Sequence, residues 1–202
     1  MRTFRRIAVY CGSSDDVAPR YFELAREVGR TLAARGIGIV YGGGRVGLMG
    51  AVADAALDAG GSVFGVIPRR LQDREVGHTG LTELFVVDSM HARKAMMTYL
   101  SDAFIALPGG FGTLEEIIEV ATLAILGYHH KPVGLLDADG YYDHLLAFID
   151  RAATDGFVRP QHRELLQVAD RVDVLLGRLA SADLSRVEMV GKPPKVGGDY
   201  NG

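Results

Sequence analysis

Ala103-Phe-Ile-Ala-Leu-Pro-Gly-Gly-Phe-Gly-Thr-Leu-Glu-Glu-Ile-Ile118 carries three signals in a row. An apolar run of strand length comes first, then a Pro-Gly-Gly-x-Gly break, then a longer run with helical spacing. Ile37-Gly-Ile-Val-Tyr-Gly-Gly-Gly-Arg-Val-Gly-Leu-Met-Gly50 repeats that order of strand, glycine loop and helix. Two such units in one chain point to βαβ connections around a parallel sheet, with every strand-to-helix loop leaving by the same edge.

The rest of the chain follows the same alternation. Strands are expected at Arg6–Tyr10, Ile37–Tyr41, Ser62–Ile67, Leu84–Val87, Ala103–Leu107 and Pro132–Leu136, with a short seventh at Gln167–Ala169. These are nearly continuous apolar runs, as strands covered on both faces require. Between them the spacing predicts helices over Pro19–Ala34, Val46–Ala59, Ser89–Leu100, Thr113–Leu126 and Tyr141–Thr154, with a closing helix at Val172–Ala180. Pro19 suits a first helical turn, and Gly36, Gly60 and Gly127 follow helix ends. Residues 1–180 are therefore expected to form a single α/β domain. From Ser181 apolar density falls, and residues 181–202 are expected to be a flexible tail.

Composition narrows the function classes. The 202 residues are 48% apolar and 23% charged, and 22 Lys+Arg against 25 Asp+Glu leave a formal charge of −3. That balance gives no overall pull toward nucleic acid or an anionic membrane. One cysteine, Cys11, excludes an intrachain disulfide and a multi-cysteine zinc site. Met1–Arg6 is basic, but only Ile7–Tyr10 follows as an apolar run, too short for a signal-peptide core. No run of eighteen apolar residues occurs, so no span is expected. A cytoplasmic, small-ligand protein without a metal is the resulting expectation.

Each glycine loop opens a helix, where unpaired backbone N–H groups and the helix dipole favour an anion. Gly42, Gly44 and Gly47 fit G-x-G-x-x-G, the dinucleotide fingerprint. The acidic residue that fingerprint needs is missing from the end of the next strand, which reads Ile67-Pro-Arg-Arg70 with Asp73 and Glu75 further on. A nicotinamide-linked oxidoreductase is therefore disfavoured, and a tight turn with close packing competes with an anion cradle there. The loop Pro108–Thr113 lacks the G-K-[ST] ending of a triphosphate-binding loop. Two cradles on one sheet edge suit a phosphate with a polar remainder, the shape of a nucleoside monophosphate.

Carboxylates follow the second loop. Thr113-Leu-Glu-Glu116 fits a capping box, which would make Glu116 structural. Glu115, Glu119 and Thr122 share one helical face of an otherwise apolar segment, and acids there are costly to bury unless paired. That stripe is expected to floor a pocket, although a solvated stripe is the simpler alternative. Cations come from Ser89-Met-His-Ala-Arg-Lys94, where Ser89 is a plausible N-cap. Arg93 and Lys94 oppose the helix dipole unless an anion is close. Arg93 shares a face with Met90, Met96, Met97 and Leu100, so its stem is expected to be half-buried, holding a phosphate or orienting a carboxylate. No H-E-x-x-H set or G-x-S-x-G elbow occurs.

Together these stretches resemble the Lonely Guy family, cytokinin-activating nucleoside-monophosphate phosphoribohydrolases often mislabelled lysine decarboxylases. The motif P-G-G-x-G-T-x-x-E is matched by Pro108–Glu116, G-G-G-x-x-G-L-M-G by Gly42–Gly50, and S-M-H-x-R-K by Ser89–Lys94. The similarity runs from about Arg6 to Val158, leaving the tail after Ser181 without a counterpart. The resemblance implies a Rossmann-like three-layer α/β/α fold with a mainly parallel sheet of about seven strands. It implies hydrolysis of the N-glycosidic bond of adenosine or N6-modified adenosine 5′-monophosphate, releasing free base and ribose 5-phosphate without a cofactor. By position it places catalysis on Arg93 with Glu115 or Glu116. It places substrate contacts at Glu75, Met90, Lys94, Gly109, Gly110, Phe111, Gly112, Thr113, Leu114 and Thr122. Periodicity favours Glu115 as the reacting acid, whereas the motif closes on Glu116. The family also implies a homodimer or larger homo-oligomer. Decarboxylation fits the residues poorly, because the only lysine before Lys131 is Lys94, beside Arg93. A non-catalytic nucleotide or molybdenum-cofactor carrier could use the same cradles, since fold alone does not choose function.

Overall fold

The computed structural model describes residues 1–72, 77–185 and 187. Seven strands, β1 (Arg6–Tyr10), β2 (Gly38–Tyr41), β3 (Val63–Pro68), β4 (Glu83–Val87), β5 (Ala103–Ala106), β6 (Val133–Leu136) and β7 (Leu166–Ala169), form one sheet in the order β4-β3-β2-β1-β5-β6-β7. Every neighbouring pair is parallel. The α/β/α architecture and strand number expected from the sequence are thus found, with the sheet wholly parallel.

The helices are α1 (Pro19–Ala34), α2 (Gly47–Asp58), α3 (Arg69–Gln72), α4 (Met90–Leu100), α5 (Phe111–Ile125), α6 (Asp143–Thr154), α7 (Pro160–Arg163) and α8 (Val172–Ser181). Alternation along each strand sorts the core into two layers. Ile7, Val9 and Cys11 join side chains of α1, α2 and α8 on one face. Ala8 and Tyr10 join those of α4, α5 and α6 on the other. Both faces of the central strands are buried, which is why no polar alternation marked them in the sequence.

Differences from the expected elements are local. The helix expected from Tyr141 begins at Asp143, leaving Tyr141 and Tyr142 in the preceding turn. The one-turn helices α3 and α7 are too short to show a period. The closing helix extends to Ser181, and Leu184 beyond it is buried against the second core layer. Most of the expected tail lies outside the described residues.

Candidate active site

The chain leaves β1 toward one face of the sheet and β5 toward the other, so their carboxyl ends flank the crevice where open α/β sheets hold ligands. The two loops touch: the Gly12 N–H donates to the Pro108 carbonyl at 3.1 Å. A pocket of about 240 Å³ lies here, lined by Gly12, Ser13, Ser14, Pro108, Gly109 and Gly110 with the aromatic rings of Tyr21 and Tyr141 at its side. The β1 loop is a part of the site that sequence reasoning missed. Its signal was Cys11-Gly-Ser-Ser14, small residues placed directly after the first strand.

Helix α5 starts at Phe111 with Gly110 as its N-cap and no side-chain cap among the described residues. The expected capping box is therefore not formed. Thr113 already occupies the third helical position, and Glu116 lies three residues deeper. A Cβ added at Gly110 or Gly112 would meet nothing within 4 Å, so this backbone borders open space. Uncapped amides at the positive end of a fifteen-residue helix form a ready anion cradle.

Glu116 faces inward, 8% exposed, and pairs with the Arg93 guanidinium at 3.2 Å. Arg93 is almost as buried; its Nε donates to the Val66 carbonyl at 3.2 Å and Nη1 lies 3.9 Å from the Met90 sulfur. Ser89 caps α4 as expected, its Oγ accepting from the Ala92 N–H at 3.1 Å. The cation at that helix start has found its anion on α5. Burial pushes the Glu116 carboxyl above the ordinary carboxylate range; Arg93 pulls it back, and Glu115 adds to the rise.

Lys94 takes the other two carboxylates, binding Glu115 and, at 3.0 Å, Glu119. Burial alone would lower the Lys94 ammonium, but its hydrogen bonds to Glu115 and Glu119 outweigh that and hold it high. Of the expected stripe, Glu115 and Glu119 are bridged by Lys94, and Glu119 with Lys94 lines a depression of about 400 Å³ between α4 and α5, which Glu115 and Thr122 do not line. Thr122 turns its hydroxyl back to the Ile118 carbonyl at 2.8 Å. Both cations expected to grip phosphate are engaged by acids.

The first glycine loop is closed by the protein itself. Asp15 accepts from the Gly47 N–H at 2.7 Å, and the Leu48 N–H donates to the Gly12 carbonyl at 3.0 Å, so the start of α2 is capped. Gly47 has φ +59°, and a Cβ there would lie 2.5 Å from the Ser13 carbonyl carbon. A Cβ on Gly42 would collide with the Arg93 guanidinium. Of the two readings of this loop, close packing is the one the structure displays, with the Gly47 and Leu48 N–H groups already paired within the protein.

Of the other predicted contacts, Met90 and Phe111 are exposed and Leu114 is half-buried on the α5 side. Glu75 lies outside the described residues. A larger depression of about 480 Å³ between α1 and α2 is lined by Gly47 and Gly50 of the first glycine loop but by none of the predicted catalytic or substrate-contact residues, and its Arg26 and Asp54 are paired with Glu23 and His78. Among the described residues no helix is long and apolar enough to cross a membrane.

Fold and site together define a doubly wound α/β protein in which the uncapped N-terminus of α5 lies beside a buried Arg–Glu pair. Residues 49–179 match the family described as possible lysine decarboxylase. The chain is 53% identical over 176 residues to a probable cytokinin riboside 5′-monophosphate phosphoribohydrolase of Oryza sativa subsp. japonica, covering 87% of this chain and 78% of that protein. It is 48% identical, again over 176 residues, to a cytokinin riboside 5′-monophosphate phosphoribohydrolase of Arabidopsis thaliana, covering 87% and 77%. The chain belongs to this family, the Lonely Guy phosphoribohydrolases, as its motifs led us to expect. The solved molybdenum cofactor carrier protein from Chlamydomonas reinhardtii superposes with a TM-score of 0.64 at 22% identity, over 87% of this chain and 99% of that one. At that identity the likeness is one of fold.

Proposed function

We propose that this protein hydrolyses the N-glycosidic bond of a cytokinin riboside 5′-monophosphate or of adenosine 5′-monophosphate, releasing the base and ribose 5-phosphate. The names of its relatives support the reaction, and one feature of the site carries it: Glu116, buried and locked to Arg93, a turn and a half from the uncapped start of α5. The N–H groups of Gly110–Thr113 would receive the 5′-phosphate. Five residues of helix, about 7.5 Å at ~1.5 Å each, then bring the sugar's anomeric carbon to Glu116.

Breaking the bond between C1′ and the base nitrogen builds positive charge on the ribose. The Glu116 carboxylate stabilises that charge and takes a proton from the water whose oxygen bonds to C1′, while the base leaves with the electron pair of the broken bond and receives that proton, returning Glu116 to the carboxylate. Arg93 orients Glu116 and favours its ionised form against the burial that opposes it. Lys94 ties α4 to α5 through Glu115 and Glu119, which favours Glu116 over Glu115 as the reacting acid. Glu75, by the position the family resemblance gives it, remains our candidate for a contact to the base. A carrier that only holds an anion gains nothing from a buried acid beside its cradle.

We also propose a homodimer formed through α4 and α5. Met90, Tyr99, Phe111, Ile118, Leu126 and Tyr128 expose large apolar surface on and next to these helices. Incubating the purified protein with AMP and with N6-isopentenyl-AMP tests the activity. Free base and ribose 5-phosphate are expected; binding without release would instead support a carrier.

A further inference from the structure

The turn after β6 acts on the loop after β5. Tyr141 and Tyr142, which sequence spacing assigned to a helix, stand just before α6 and send their hydroxyls to that loop. Tyr142, 1% exposed, donates to the Leu107 carbonyl at 2.5 Å, and Tyr141 donates to the Gly109 carbonyl at 2.8 Å. Between them the Gly12 N–H holds the Pro108 carbonyl at 3.1 Å. Three consecutive carbonyls are thus fixed from outside the loop.

A trans peptide is planar, with its C=O and the next N–H pointing in opposite directions. Fixing the Gly109 carbonyl therefore fixes the Gly110 N–H. Without that hydrogen bond the peptide is free to turn, because it joins two glycines. The turn is itself braced. Asp139 pairs with Arg20 of α1 at 3.2 Å, and the Tyr141 ring meets Tyr21 edge-on at 5.7 Å and Tyr142 at 5.1 Å.

We infer that Tyr141 is a positioning residue: by holding the Gly109 carbonyl it aims the Gly110 N–H away from itself, to join the uncapped α5 amides as a phosphate donor. This rests on the proposed phosphate seat at Gly110–Thr113. Tyr141→Phe keeps the ring contacts and removes only the hydroxyl.

With AMP as substrate, the variant is expected to raise KM about three- to tenfold, roughly the worth of one neutral hydrogen bond, with kcat changed less than about twofold. The inhibition constant of inorganic phosphate should rise with KM. In amide spectra, inorganic phosphate should shift the Gly110 resonance in the wild type, with weaker affinity in the variant. Unchanged KM and phosphate inhibition, even with a lowered Tm, would reduce Tyr141 to a structural brace and overturn the assignment. Should the wild type release no base, the functional proposal fails, and the phosphate titration alone decides Tyr141. Equal phosphate affinity in both proteins, or no Gly110 response in the wild type, overturns it.

Discussion

Two loops with the same local pattern end in opposite states. The loop after β2 and the loop after β5 each leave a buried strand, turn through glycines and open a helix. The first is filled by the chain: Asp15 and Gly12 cap α2, and the Arg93 guanidinium passes where a Cβ of Gly42 would be. The second starts α5 with no side-chain cap and with open space at Gly110 and Gly112. Glycine in such a loop shows that something must come close to the backbone. In one case it is the protein's own side chains, and in the other we assign it to a ligand.

The largest expected effect lies at the acid beside the open loop. Glu116→Gln keeps an acceptor for Arg93 and should lower AMP hydrolysis by about 10²–10⁴, the usual loss of a general base, with little change in Tm. Glu116→Ala would instead strand the buried guanidinium at a cost of about 3–5 kcal/mol, which makes Gln the cleaner substitution. Glu115→Gln should leave most of the rate, because Lys94 retains Glu119. Equal losses at both positions would erase the distinction between the two acids.

Glycine substitutions sharpen the contrast between the loops. Gly47→Ala meets strained φ and the Ser13 backbone, and should destabilise the fold by at least about 1–3 kcal/mol, read as a fall in Tm. Gly112→Ala meets nothing in the free protein, so Tm should hold or rise slightly while affinity for nucleoside monophosphate drops. Preserved affinity in Gly112→Ala would move the ligand elsewhere.

The smallest effect is in pH. Folded Glu116 holds its proton more tightly than unfolded Glu116, so the native state binds the extra proton between the two pKa values. Stability then falls as pH rises through that window. The rate needs the ionised acid and should drop as pH falls, with an acid limb above the ordinary glutamate range. Arg93→Gln removes the charge that favours ionisation and should carry the limb higher, measured by kcat/KM profiles of both proteins.

Much of this was legible beforehand because strands buried on both faces write themselves as unbroken apolar runs, and Ser89 announced the start of α4. The site was less so. Thr113 and Glu116 have capping-box spacing, yet the helix begins earlier at Gly110, since a glycine N-cap leaves no side-chain signature. Periodicity set Glu115, Glu119 and Thr122 on one face but could not say that Lys94 would bridge two of them. Nor could it separate a glycine loop filled from within from one left open. Asp15 and Arg93 reach the first loop from distant points in the chain.

A crystal structure of Glu116→Gln soaked with AMP tests the central claim most directly. We expect the phosphate on the N–H groups of Gly110–Thr113 and the anomeric carbon facing residue 116. Phosphate seated at the start of α2, or residue 116 turned away from the ribose, would contradict it.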